Sequence, residues 1–113
     1  RLLSGIGKVV ELETKQMPAG MAISGCAPAF VDMFIEALAD GGVKNGLKRQ
    51  DALDIICQMV SGSAELVTAT GLNPEELKDR VCSPGGTTIK GVAALEEKGF
   101  RNAVIKAVDA TLK

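Results

Sequence analysis

Past about residue 20 the apolar residues of this chain recur at intervals of three and four, a period that only helices satisfy. From Pro28 the positions Val31, Phe34, Ile35, Leu38 and Ala39 form one stripe that stops at Gly41-Gly42, and Pro28 suits a first helical turn, where its missing N–H costs nothing. After a short turn at Lys44-Asn45-Gly46-Leu47, Leu53, Ile56, Val60, Ala64 and Val67 mark a longer helix from about Arg49 to Thr70, ended by Gly71. Gly62 lies inside it at a cost of about 1 kcal/mol relative to alanine, which predicts a close neighbour there, most simply a crossing helix. Asn73-Pro74-Glu75-Glu76 is a start signal in which Asn73 caps, Pro74 takes the first position and Glu76 reaches back; this short helix ends near Val81. Ser83-Pro84-Gly85-Gly86 cannot continue a helix. Thr87-Thr88-Ile89 opens the next, with Val92, Ala93 and Leu95, and a last helix runs from about Arg101 with Val104, Val108, Thr111 and Leu112. The expected fold is all-α, about five helices, preceded by a strand at Gly7 to Glu13 that reads as the close of something upstream. The start at Arg1 and the pattern still running at the last residue suggest a fragment.

Composition narrows the function. A chain of 113 residues builds one core and not two. Its 13 basic and 14 acidic residues are spread along the chain, without the basic excess that nucleic acid or an anionic membrane surface demands. No uninterrupted apolar run approaches the roughly 20 residues of a membrane span, and there is no leader-like N-terminus, so a soluble, cytoplasmic protein is expected. Cys26, Cys57 and Cys82 are too widely spaced for a metal clip and odd in number, which favours reduced thiols; with no histidine, the commonest metal ligand and general base is missing, and no metal is expected. Three phenylalanines are the only aromatics, so Ala, Val, Ile, Leu and Met fill the interior. The helix from Pro28 also carries Ala29, Phe30, Met33 and Ala37 beyond its stripe, which predicts a second partner surface and hence a homodimer, with intertwined helices compatible with that pattern.

Two stretches could carry chemistry. In Cys82-Ser83-Pro84-Gly85-Gly86-Thr87-Thr88 the glycines let backbone N–H groups turn inward, the following helix adds its N-terminal donors and dipole, and hydroxyls stand beside them. Without lysine or arginine in the loop, such a cradle suits a small anion such as a carboxylate better than a polyphosphate. The plainer alternative is a helix–helix connection with Gly86 or Thr87 as the cap. Ser24-Gly25-Cys26-Ala27-Pro28 reads as a second loop of small residues entering a helix, open to close approach of a ligand or simply a tight entrance. No basic neighbour activates Cys26 as a nucleophile. Gly5-Ile6-Gly7 begins a Gly-x-Gly, but Val10 stands where the third glycine belongs. Glu75-Glu76 and Glu96-Glu97 diverge by about 100° on a helix and make no shared-proton pair, and Asp32, Glu36 and Asp40 form a like-charge row with no assigned chemistry.

Ser24-Gly25-Cys26-Ala27-Pro28-Ala29-Phe30, Glu36 to Lys44 with Gly46-Leu47, Leu77 to Val81 leading into Ser83-Pro84-Gly85-Gly86-Thr87-Thr88-Ile89, and then Ala94-Leu95-Glu96 and Gly99-Phe100-Arg101 together resemble the C-terminal domain of pyrroline-5-carboxylate reductases over nearly the whole chain. The resemblance implies reduction of 1-pyrroline-5-carboxylate to L-proline by NADPH or NADH, the last step of proline biosynthesis. It implies an interlocked helical dimer, in some members assembled into pentamers of dimers. Residues 1–15 would be the tail strand of a missing Rossmann-type nucleotide-binding domain, and residues 16–113 the helical dimerisation and substrate-binding domain, inactive by itself. Carried over by position, the Ser83 hydroxyl and the backbone N–H groups around Gly86, Thr87 and Thr88 would take the substrate carboxylate, and the Thr88 hydroxyl would bond the ring nitrogen as the catalytic contact. Ser24, Gly25, Cys26, Ala27 and Pro28 would lie near the nicotinamide. Cys26-Ala27 stands where the family usually has Ser-Gly, and Phe30 where Tyr is frequent. The alternative is a catalytically silent helical dimerisation module or a small-anion-binding module.

Overall fold

A computed structural model describes residues 2–5 and 8–113. Arg1, Ile6 and Gly7, which carry the expected chain start, part of the Gly-x-Gly and the first residue of the expected strand, lie outside the described residues. Two strands, β1 (Leu2–Gly5) and β2 (Lys8–Glu11), pair antiparallel with Leu3 opposite Val10 and Ser4 opposite Val9. Five helices of more than one and a half turns follow the short α1 (Met17–Met21): α2 (Ala27–Lys44), α3 (Arg49–Thr70), α4 (Pro74–Arg80), α5 (Thr87–Glu97) and α6 (Phe100–Thr111). The chain divides into two compact units, one of Arg1–Phe34 with Arg101–Lys113 and one of Ile35–Phe100.

The first unit corrects the expectation that the helix begins at Pro28. Helical backbone begins at Thr14 with a 3-10 turn (Thr14–Gln16), continues through α1 and a π turn (Ala22–Cys26), and joins α2 without a break. Its start signal is local: the Glu13 N–H donates to Gln16 Oε1 at 2.9 Å, and Pro18 occupies the first turn of α1. Pro28 is therefore an interior proline. It has no N–H to give to the carbonyl four residues back, and the wide turn before it, where the Ala27 N–H reaches the Ala22 carbonyl five residues back, accommodates that loss.

In the second unit α2 and α3 form a hairpin around Ala39, Ala52 and Ile56, flanked by Ile35, Leu38, Leu53 and Val60. Gly41 and Gly42 do not end α2, as the sequence suggests. The helix runs two residues further and closes on Gly46 (φ +105°), with Leu47 N–H on the Gly42 carbonyl (2.9 Å) and Gly46 N–H on that of Val43 (3.0 Å). Gly42 serves the crossing instead: a Cβ there would lie 3.2 Å from Ala52 Cβ and 3.3 Å from Leu47 Cδ1. Arg49 at the start of α3 reaches Asp40 at 2.7 Å, which places one member of the acidic row in an exposed ion pair. Gly71 (φ +66°) ends α3 as expected, and Gly99 (φ +74°) lies between α5 and α6. Asn73 is the N-cap residue of α4 but makes no side-chain cap bond, and Glu76 turns to Arg80 (3.3 Å) rather than back to the cap.

Burial is sparse. Among the described residues only Met17, Ala22, Ala39, Ala52 and Ile56 are buried, and no large side chain is fully enclosed. Met33 is 68% exposed, Ile55 60% and Ile105 59%. Around the place a Gly62 side chain would occupy, no atom of the described residues beyond its own helical turns lies within 4 Å, so the close neighbour expected there is not found among them. The sequence also holds longer apolar helices than its uninterrupted runs suggest. Thr14–Lys44 and α3 are both long and apolar enough to cross a membrane by length and composition, with mean hydropathy 1.5 and 1.2 over their best windows. Run length hides this because one or two polar residues interrupt each apolar run without ending the helix.

Candidate functional site

The Ser83–Thr88 stretch is shaped by its own residues. Arg80 ends α4, and Cys82 N–H closes on the Asp79 carbonyl at 3.1 Å. Ser83-Pro84-Gly85-Gly86 then makes a β-turn in which the Gly86 N–H donates to the Ser83 carbonyl at 3.0 Å. Pro84 at the second position and Gly85 at the third, with φ +70°, follow the type II pattern, which requires a residue that tolerates positive φ. Gly86, extended at φ −76° and ψ 175°, is the N-cap of α5 and no side chain caps the helix.

This arrangement redistributes the donors expected of the loop. The Gly86 N–H is engaged within the turn, which leaves the first N–H groups of α5, those of Thr87 and Thr88, as the outward donors at the positive end of the helix. Ser83, Thr87 and Thr88 are exposed, and their hydroxyls hydrogen-bond to nothing among the described residues. The Ser83 hydroxyl at the first position of the turn, the N–H groups of Thr87 and Thr88 and the hydroxyls of these two threonines form a neutral donor set. Neutral N–H and O–H donors at a helix start suit a small anion, and this set holds no acid–base pair.

The second stretch differs from expectation. Ser24, Gly25 and Cys26 lie in the π turn, and Ala27 and Pro28 open α2, so the segment is helix interior and not a loop at a helix start. Its backbone N–H groups are committed to helical bonds, and it is no anion site. Its surface is nevertheless open: Ser24, Gly25, Cys26 and Pro28 are exposed, and nothing lies within 4 Å of the place a Gly25 side chain would occupy. A hollow of about 540 Å³ beside it, lined by Leu12, Lys15, Gln16, Ala19, Gly20 and Ile23, includes none of the residues expected to carry chemistry. Among the described residues no three His, Cys, Asp or Glu side chains gather as metal ligands.

Known proteins share this sequence and its helical fold. The family model described as pyrroline-5-carboxylate reductase dimerisation matches residues 14–113. The chain is 50% identical over 111 residues to the pyrroline-5-carboxylate reductase of Treponema pallidum, covering 98% of this chain and 42% of that protein. Among solved structures it is similar to the pyrroline carboxylate reductase of Plasmodium falciparum with NADP bound (43% identity, TM-score 0.87, 91% of this chain and 42% of that one). It is also similar to 1-pyrroline-5-carboxylate reductase of Streptococcus pyogenes (40% identity, TM-score 0.88, 91% and 40%). The chain thus spans about two-fifths of these relatives, in the part that is helical here. With an all-α body from Thr14 onward and the family model matching residues 14–113, this chain belongs to the pyrroline-5-carboxylate reductase family and carries its C-terminal dimerisation domain.

Proposed function

We propose that this chain is the dimerising and substrate-holding part of an enzyme that reduces 1-pyrroline-5-carboxylate to L-proline with NADPH or NADH. The observation that carries this reading is the donor set at the Ser83–Gly86 turn and the start of α5, which is exposed and whose hydroxyls have no hydrogen-bond partner among the described residues. The Ser83 hydroxyl and the N–H groups of Thr87 and Thr88 hold the carboxylate of the imine acid. The Thr88 hydroxyl bonds the ring nitrogen and orients it, relaying a proton from water or receiving an imine already protonated, since a lone threonine is a weak acid at neutral pH. Reduction adds one hydride to the imine carbon and one proton to the nitrogen, and the nicotinamide supplies the hydride when bound. The open π-turn surface at Ser24, Gly25 and Cys26 fits the approach of a flat ring.

Residues 1–15 are read as the end of the nucleotide-binding domain and residues 16–113 as the helical domain, so that the fragment is inactive without the remainder. The exposed apolar faces of α2 and α3 are read as the surfaces of a homodimer, assembled further in higher oligomers, and the enzyme as cytoplasmic. The same exposed faces support this use over a membrane span, because the matched family model is one of dimerisation. Titrating the labelled fragment with L-proline tests the site: chemical-shift changes confined to Ser83–Ile89 are expected. Saturable binding with shifts elsewhere would sink it.

A further inference from the structure

The Gly86 N–H is spent on the turn, and a side chain at this position would run into the Ser83 hydroxyl. A Cβ built on Gly86 overlaps the Ser83 hydroxyl oxygen and lies 3.2 Å from the Ser83 carbonyl oxygen and 3.7 Å from Ser83 Cβ. Its backbone does not explain this choice, since φ −76° and ψ 175° suit any residue. The neighbouring Gly85 is the reverse case, with φ +70° and open space around it. The two adjacent glycines therefore have separate causes: Gly85 shapes the backbone, and Gly86 leaves room for a side chain.

We propose that Gly86 is a positioning residue for substrate binding: its missing side chain lets the Ser83 hydroxyl lie against the N-cap of α5, at the helix start whose donors take the substrate carboxylate. Any Cβ at Gly86 turns that hydroxyl away from the helix start, while the backbone donors stay in place. This inference rests on the carboxylate-binding role of Ser83 proposed above.

The test is a mutant cycle in the full-length protein, with KM and kcat for 1-pyrroline-5-carboxylate measured for G86A, S83G and S83G/G86A. Loss of one hydrogen bond to a charged group predicts that S83G raises KM on the order of tenfold or more, with kcat at saturation changed far less. G86A should raise KM by a similar factor, and the double variant should stay close to S83G, because the added carbon then meets no hydroxyl and only its 3.2 Å approach to the carbonyl oxygen at position 83 remains. G86A with wild-type KM, or a double variant whose KM rises by the product of the single effects, overturns the inference while leaving the site intact. S83G with wild-type KM overturns the site reading itself. Should G86A not fold, S83G and S83G/G86A still decide the matter: equal KM values support positioning through Ser83, and a further rise refutes it.

Discussion

Ser24-Gly25-Cys26-Ala27-Pro28 and Ser83-Pro84-Gly85-Gly86-Thr87 look alike as strings, each a serine, glycine and proline cluster before a helix, and they fold in opposite ways. Where proline precedes the glycines, it presets the second position of a turn, Gly85 takes positive φ at the third, and the chain leaves helical geometry. Where proline follows, no residue is driven to positive φ; the helix continues and loosens into a π turn around the missing N–H. The order of proline and glycine, not their presence, separates an exposed set of donors from a helix interior. Donor chemistry belongs to the first region, and the second offers only open surface.

Four substitutions would break or sharpen this contrast, with Cys26→Ser as the control for the first. The largest effect is expected for Thr88→Val in the full-length enzyme, with turnover lowered on the order of 10²-fold, the usual scale for one positioned catalytic contact. Cys26→Ser in the other region should change turnover only a few-fold, so a greater loss there than in Thr88→Val in steady-state assays would reverse the ranking. Next, Pro28→Ala restores the absent N–H and should stabilise the protein by about 1–2 kcal/mol, less than the full cost of an interior proline because the π turn already accommodates it. Thermal unfolding measures this, and a lower melting temperature would show that the ring packs favourably where it stands.

The last pair applies one change to both regions. Gly85→Ala forces an L-residue to φ +70° and should destabilise by about 1–2 kcal/mol, with a matching rise in KM for the imine acid. Gly25→Ala meets open space in helical backbone and should stabilise by about 0.5–1 kcal/mol through reduced freedom of the unfolded chain. Denaturant titration of the two variants reads both signs; equal signs would mean that the two stretches are conformationally alike after all.

These cases also mark how far sequence reasoning reaches. The α3 span, its end at Gly71, the start of α4 at Asn73-Pro74 and the start of α5 at Thr87 are legible because each has local punctuation with one structural meaning. The helix start at Thr14 is signalled by Glu13, Gln16 and Pro18, but Pro28 offers a competing start farther along and masks it. Gly41-Gly42 looks like a stop because glycine weakens helices; packing of Ala52 and Leu47 against Gly42 outweighs that weakness, and the backbone turns only at Gly46. At the site, residue types reveal the hydroxyls and the helix start. Which N–H the turn consumes, and why Gly86 has no side chain, depend on atomic spacing that no pattern of letters encodes.

Among the described residues, the interior built from Ala39, Ala52 and Ile56 is small, and many large apolar side chains are exposed. In the proposed dimer, abundance acts as a stabilising ligand: each copy that pairs withdraws from the unfolded pool, and the melting temperature climbs with total concentration. Dilution would then be a denaturant, and synthesis rate a determinant of folding yield. A substitution on an exposed apolar face, harmless by the measure of a single chain's contacts, would cost the cell as much as a cavity in an ordinary core.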